Sequence, residues 1–454
     1  MVNFMPGISQ QYDTDILVIG AGSAGSTAAL AAAKGKYKVT LVERYGFPGG
    51  TSTQMLDTFY GFFTPSDTPK KIVGGIPDLV VNMLDQSADI FLRPNTYGAG
   101  TGVNYNPEKL KWVWDHLLIE SGVQVFYHST LVGVESTGET SACVFFHKGI
   151  GFFSITAKRV IDASGDADFC HWAGIAYEKA GEKEPAQSMT TTFRMCNVEH
   201  EEYEAAGGKK MLQEKMARAY EQKTYVLPRK KGSAHEMCQP KCISTVAVKV
   251  VDLDPLNVEE LTQAEIAGRQ QSFNYETFFR GEIPGYQNAR IIGLSHQIGV
   301  RETRRVYGNY RLSKEDCMSA RTFEDQIFLC GAPIEDHRKS EDGKSETYWQ
   351  YVPDGGVYGV PYGTIVPKDS TNVWVVGRCF SATHDAHASC RSMAQTMSMG
   401  QAAGLASVLS LDTDQDAKNI DTGQLQDALL LAGAILETPE KTADTSRNGW
   451  KNNL

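Results

Sequence analysis

The segment Asp15–Arg44, DILVIGAGSAGSTAALAAAKGKYKVTLVER, constrains the fold of this 454-residue chain more than any other. Asp15–Gly20 is a short apolar run that reads as a fully buried parallel strand. Gly20, Gly22 and Gly25 come next, in the spacing GxGxxG. The first glycine permits a tight strand-to-helix turn, the second lets backbone approach a pyrophosphate, and the third lets the helix pack on the strand. Ser23 to Lys34 is alanine-rich, with small side chains suited to close contact with a sheet. The start of that helix, Ser23 and Ala24, presents free N–H groups and a positive dipole end to a diphosphate. Tyr37–Glu43 is a second strand, and Glu43 stands 18 residues after Gly25, where an acid accepts hydrogen bonds from ribose hydroxyls. A lone GxGxxG is a weak signal. Strand, glycines, helix, strand and acid in register are a strong one for a Rossmann-like α/β dinucleotide site, and the acid disfavours a 2′-phosphate.

The residues after Glu43 separate FAD from NAD. Arg44-Tyr-Gly-Phe-Pro-Gly-Gly50-Thr51 is glycine-rich and close to the N-terminus. It resembles the glutathione-reductase-like superfamily of FAD proteins, where such a loop after the acid lines the FAD diphosphate and isoalloxazine. The resemblance implies contacts from Arg44, Gly50 and Thr51. Val123–Val134, VQVFYHSTLVGV, reads as strand, turn and strand; in the superfamily this region contacts adenine through backbone, here near Leu131 and Val132. Arg159–Asp166 is an apolar strand ending in Ala163-Ser164-Gly165. It resembles the ATG or ASG motif that packs against the first glycine loop.

The most specific segment lies near the C-terminus. An apolar strand from Asn372 ends at Gly377, a polar loop RCFSATHDAHASCRS comes after it, and a helix expected to begin near Ser392 carries GQAAG. This resembles the FAD-dependent oxidoreductase family, a glutathione-reductase-like group related to the fumarate reductase flavoproteins, whose members carry GRCxSATHxAxxSxR ahead of GQAAG. Arg301-Glu-Thr-Arg-Arg305 and Tyr358–Pro367 extend the resemblance to nearly the whole chain. It implies a Rossmann-like FAD-binding domain with an inserted α+β substrate domain, and Gly377, Arg378, Arg391, Met393 and Gln395 at the cofactor. The N-terminus of the last helix, aimed at the flavin, stabilises negative charge on the reduced ring. Many superfamily members place an acid after the strand-ending glycine to bind the ribityl chain. Arg378 stands there instead and is expected to meet the phosphates. Between Arg44 and Gly61 there is no histidine or cysteine, where some relatives attach FAD covalently, so FAD is expected to be non-covalent.

The FAD-binding domain is expected to be discontinuous, at 10–65, 105–180 and 365–412. Residues 66–104 cap it with loops and a helix at Ile76–Gln86, and the glycine-rich Tyr97–Val103 reads as a loop without a second nucleotide site. The substrate domain is expected at 181–364, with a strand at Ser244–Val251, a helix at Thr262–Arg280 and a charged surface helix at Glu199–Glu221. Residues 413–454 form a helix and a polar tail, disordered or on the surface after about 436.

The net charge of −10 argues against nucleic acid, because phosphate binding needs a basic face. Arg229-Lys230-Lys231 reads as a solvated loop. Nine cysteines, an odd number with no CxxC, fit the reduced thiols of a cytoplasmic protein. The first residues lack a secretory pattern, and no apolar run reaches the ~20 residues of a membrane span.

Flavin chemistry needs a positioned substrate and one managed proton. His384, on the SATH motif, is the first candidate acid or base, and His387 the second. The alternative for each is a scaffold role. Read as a metal pair, they lack a third ligand, so no metal is expected. Arg301 is the candidate clamp for a carboxylate or oxyanion, against a salt-bridged helix with Glu302. Tyr358 and Tyr362 edge the cavity or fill the core, and Phe59–Phe63 lines the cavity or a dimer contact. The expected activity is an FAD-dependent dehydrogenase or oxidase acting on a CH–OH or CH–CH group of a small molecule. A reductase of activated C=C bonds, an aromatic hydroxylase and a non-catalytic flavin protein are the alternatives. The electron acceptor (oxygen, a quinone or a redox protein) and the oligomeric state stay open.

Overall fold

The computed structural model describes residues 7–96, 98–339 and 345–454, with backbone alone for Arg338, Lys339, Ser345 and Glu346. Met1–Pro6, in the stretch expected to lack a secretory pattern, and Tyr97, which opens the expected glycine-rich loop, lie outside the described residues.

Strand β1 (Ile8–Ile19) leads into helix α1 (Ser23–Ala32) and strand β2 (Val39–Val42). Strands β3 (Gln124–Phe126), β4 (Thr130–Ser136), β5 (Ser141–His147) and β6 (Gly151–Asp162) come next. Strand β7 (Val373–Val375) closes the sheet. The order runs β3-β2-β1-β6. Beyond β6 the sheet forks. Its first half pairs antiparallel with β5, Ser141 opposite Ala157. Its second half pairs parallel with β7, Val373 opposite Val160. The result is a five-stranded parallel sheet carrying an antiparallel extension, the expected α/β architecture.

Side-chain alternation along β1 feeds both faces of this sheet. Ile16 and Val18 enter one apolar cluster, Leu17 and Ile19 another. Over the first face lie α1 and the long helix α3 (Met393–Thr413), which comes after the short helix α2 (His384–Cys390). The GQAAG motif explains how closely α1 and α3 approach. A Cβ on Gly400 would lie 2.0 Å from the Ala24 carbonyl oxygen, and one on Gly404 2.4 Å from that of Ala28. Gln401 Oε1 accepts the Ile76 N–H at 2.8 Å and ties α3 to the helix Ile76–Asp85.

A second unit has its own core, drawn from Met189 to Ile298. Its antiparallel sheet orders Ser233–Glu236, Ile243–Val246, Thr192–Cys196 and Arg290–Leu294. The expected strand at 244–251 is thus shorter, Ile243–Val246. The helix expected from Thr262 runs Val258–Glu282, because Asn257 caps it by accepting the N–H groups of Glu259 and Glu260. The surface helix expected at 199–221 is two helices, His200–Ala205 and Gly208–Gln222.

Four further expectations are corrected. Residues 312–366, assigned to the substrate domain, send Leu312, Phe328, Tyr358 and Ile365 into the core of the first unit. The polar loop before α3 contains α2, started by Thr383, whose hydroxyl accepts the Ala386 N–H. The RETRR segment is not a helix: Arg304–Val306 is a strand. The C-terminal tail is anchored by Trp450, 2% exposed. Its ring packs edge-on against Phe62 and Phe63, and its Nε1–H is donated to Asn82. Among the described residues no helix is long and apolar enough to cross a membrane.

Candidate active site

A cavity of about 900 Å³ runs from the C-terminal ends of β1 and β2, past the N-termini of α1 and α3, to the antiparallel sheet of the second unit. That volume lies within the range of cofactor and ligand sites. Gly20, with φ +95°, turns the chain from β1 into α1, and a Cβ there would strike the Ala163 carbonyl at 2.5 Å. At Gly22 a Cβ would meet nothing nearer than Gly50 Cα at 3.9 Å, so the backbone lies open to a ligand. Gly22 caps α1 without a side-chain bond and no acid sits in the first turn. Ser392 does the same for α3, where the sequence placed the helix start. Two helix N-termini therefore meet the cavity with uncompensated positive ends, a cradle for a diphosphate and for an anionic ring edge.

The expected cofactor residues sort clearly. Gly20, Gly22, Ser23, Ala24, Glu43, Arg44, Gly50 and Thr51 line the cavity. So do Ala163, Ser164, Gly165, Gly377, Arg378, Arg391 and Met393. Gly25, Val132 and Gln395 are not on its wall. Gly25 lies under the turn, where a Cβ would meet the Gly20 oxygen at 1.8 Å. The β4–β5 ladder skips Val132 between Leu131 and Gly133, and Ser129, Thr130 and Leu131 form the wall there. Gln395 is fully buried and donates to the Gly61 carbonyl at 2.9 Å, holding the Tyr60–Gly61 turn against α3.

Glu43 differs in detail from the expectation. Its carboxylate already accepts the Ala21 N–H at 2.7 Å and the Tyr45 N–H at 3.0 Å. Those bonds fix it at the wall, with the remaining lone pairs left for ribose. Arg378 binds Asp166 at 2.6 Å, and Arg44 approaches the same carboxylate at 3.9 Å. Burial works against the Asp166 charge, but the two guanidinium groups hold its pKa below the usual range. Both arginines are thus pre-positioned at the cavity wall.

Neither predicted histidine is on that wall. His384 lies between two buried carboxylates, Nδ1 at 3.2 Å from Glu302 and Nε2 at 3.2 Å from Asp336. Burial opposes its charge, yet the two carboxylates push it up to about 10. Asp336, His384 and Asp385 bring their ligand-type atoms within 4.8 Å of one another, a third such residue that the sequence did not display; here Asp336 pairs with His384 and Asp385 with Lys314 at 3.1 Å. His387 Nε2 donates to the Arg378 carbonyl at 2.6 Å, and burial keeps the ring neutral. Both histidines fasten the flavin-facing segment from behind. Glu302 anchors His384 and also pairs with Arg305 at 2.6 Å. Tyr358 and Tyr362 are core residues, their hydroxyls bonded to Ser389 and to the Ala417 carbonyl.

Arg301, the third candidate, does line the cavity, beside Arg391. Arg301 donates to the Ser188 carbonyl and Arg391 to Gln187 at 2.9 Å. Burial lowers the pKa of both, helped by the charge of Arg391 at Arg301 and of Arg378 at Arg391, and Glu335 opposes the shift. Glu335 is also hydrogen-bonded to His337 at 2.9 Å. Tyr60, from the Phe59–Phe63 stretch, is on the wall too, and further wall residues escaped the sequence reading: Asp57, Arg93 and His235. Each stands in a stretch without a motif, and contacts across more than 130 positions of sequence bring His235 and the second sheet to them. Asp57, close behind the glycine-rich loop, carried the one local signal.

Three solved structures resemble this fold over most of the chain. A geranylgeranyl bacteriochlorophyll reductase-like protein from Thermoplasma acidophilum matches with TM-score 0.46 and 14% identity, covering 93% of this chain and 83% of that one. The p-nitrophenol 4-monooxygenase PnpA from Pseudomonas putida matches with TM-score 0.45 and 9% identity, covering 93% and 84%. A flavoprotein/dehydrogenase from Cytophaga hutchinsonii matches with TM-score 0.42 and 12% identity, covering 91% and 81%. At these scores none of them bears on the reaction. The sequence model of the FAD dependent oxidoreductase family matches residues 15–429. With the glycine turn, the two uncapped helix ends and the arginine-lined cavity in place, FAD is the cofactor, and the chain belongs to the FAD dependent oxidoreductase family.

Proposed function

We propose that this protein is a dehydrogenase or oxidase of a small anionic molecule, moving a hydride from a CH–OH or CH–CH group to non-covalent FAD. The observation that carries the reading is the pair of half-buried arginines, Arg301 and Arg391, on the cavity wall. Arg391 stands two residues before α3, so an anion it holds would lie beside the N-terminus of that helix. Two guanidinium groups in one wall carry more positive charge than Glu335 offsets, which is costly without further anionic compensation. A substrate carboxylate supplies that compensation through bidentate contacts.

When bound, FAD supplies the two-electron acceptor. Gly22 and the α1 N-terminus would hold its diphosphate end with Arg44 and Arg378, and Ser392 and Met393 would stand at its ring. Arg301 and Arg391 orient the substrate, held in turn by the Ser188 carbonyl and Gln187. Phe91, Leu92 and Met55 give the same compartment apolar walls that exclude water.

Anaerobic mixing with a panel of small carboxylates and uncharged alcohols tests this reading. Flavin bleaching by carboxylates, with KM raised roughly 10- to 100-fold in Arg391→Lys and kcat less affected, is expected. Bleaching by uncharged alcohols alone, or by no compound on the panel, overturns it.

A further inference from the structure

The proposed function leaves the proton unassigned, and the two histidines of the SATH segment are turned away from the cavity. A third histidine is not. His235 lies on the Ser233–Glu236 strand of the second unit and forms part of the cavity wall. Its Nε2 is 2.8 Å from Asp57 Oδ1, on the loop that leaves the FAD-binding unit. Both side chains are almost fully enclosed, 9% and 3% exposed. His235 Nδ1 is buried with no hydrogen-bond partner. An unpartnered buried nitrogen costs free energy unless something completes it.

We propose that His235 is the proton acceptor for a substrate hydroxyl, that Asp57 is its positioning residue, and that the substrate is therefore a hydroxycarboxylate. The inference rests on the carboxylate reading of Arg301 and Arg391 and adds the second functional group. Asp57 accepts the Nε2–H and so fixes the tautomer whose bare Nδ1 receives a proton. Burial, with the charges of Arg93 and Arg194, keeps the ring neutral at rest, while Asp57 opposes them. Asp57 is itself held at about 2: burial works against its charge, but His235 and Arg194 favour it. The atoms balance simply. The substrate O–H proton goes to Nδ1, the carbinol C–H leaves with its electron pair to FAD, and C–O becomes C=O. The imidazolium, paired with Asp57, returns its proton to water after the ketoacid departs.

Calorimetric binding to the oxidised holoenzyme tests this apart from turnover, using matched pairs of a hydroxycarboxylate and the same acid lacking the hydroxyl. The panel carries the hydroxyl at carbon two, three or four. Wild type is expected to prefer one hydroxy acid by about 10-fold, and His235→Ala to lose the preference while retaining carboxylate affinity. The reduction rate of His235→Ala should fall by about 10²–10⁴-fold and recover with added imidazole. Asp57→Asn should lower the pH at which the rate reaches its plateau, because the pull that raises the His235 pKa is removed. No hydroxyl preference in wild type, or a preference unchanged in His235→Ala, overturns the dyad. Should His235→Ala fail to fold, the same comparison in His235→Gln decides. A hydroxyl preference that persists in Arg391→Lys while all carboxylate affinity is kept sinks the arginine reading and leaves the dyad standing.

Discussion

His384 shows how a residue in a chemically suggestive motif acts through structure. Its charge is favoured by Glu302 and Asp336, so its folded pKa is raised to about 10 from an ordinary 6.5. A raised pKa stabilises the fold fully below pH 6.5, and that stabilisation is lost as pH rises toward 10. Glu302 has the opposite sign. Burial works against its charge, but His384 and Arg305 lower it to about 2 from an ordinary 4.5, so its contribution is lost as pH falls through that window. Thermal unfolding measured from pH 6 to pH 10 should therefore show a declining melting temperature, and His384→Asn should flatten the decline. Leaving two buried carboxylates without their cation should cost about 3–5 kcal/mol. An unchanged melting profile in the variant contradicts the ion-pair reading. The sequence displayed His384 but not its surroundings. Glu302 and Asp336 lie 82 and 48 positions away, and only the fold turns the ring from the flavin side toward them.

At the scale of elements, the pairing of α1 with α3 sets the width of the cofactor slot. The glycines of both motifs were legible because backbone crowding at a helix contact leaves no room for a Cβ, whatever the tertiary context. Gly400→Ala forces a methyl within 2.0 Å of the Ala24 oxygen, so α3 must shift away from α1. The expected effect is a loss of about 1–3 kcal/mol of stability together with weaker FAD binding, read by denaturant unfolding and by flavin fluorescence titration. Full stability with wild-type FAD affinity would show that the two helices are not held this closely. Element ends were less legible. The Val258–Glu282 helix gained a turn from its Asn257 cap, and the tail was pinned by one tryptophan among polar residues. Trp450→Ala should cost about 3–5 kcal/mol through the cavity left between Phe62 and Phe63, measurable by urea unfolding. A cost within experimental error would mean that the tail is not docked.

Across the whole molecule, the cavity is walled by residues that begin at Ile19 and end at Arg447. No segment builds it alone. The FAD end was readable because its motifs are local: turn, helix and acid succeed one another within about thirty residues. The substrate end was not, because it is assembled from the Met55–Tyr60 loop, the second sheet and the segment before α3. Such a divided site ties folding of the two units to the ligand between them, so FAD at 100 times its dissociation constant should stabilise the apoprotein by about 2.7 kcal/mol. The most direct test of the central claim is the absorption spectrum of the purified protein before and after denaturation and filtration. A flavin spectrum, with FAD released stoichiometrically into the filtrate, is the expected result. A colourless protein that takes up no FAD, or a flavin that stays with the polypeptide, would contradict it.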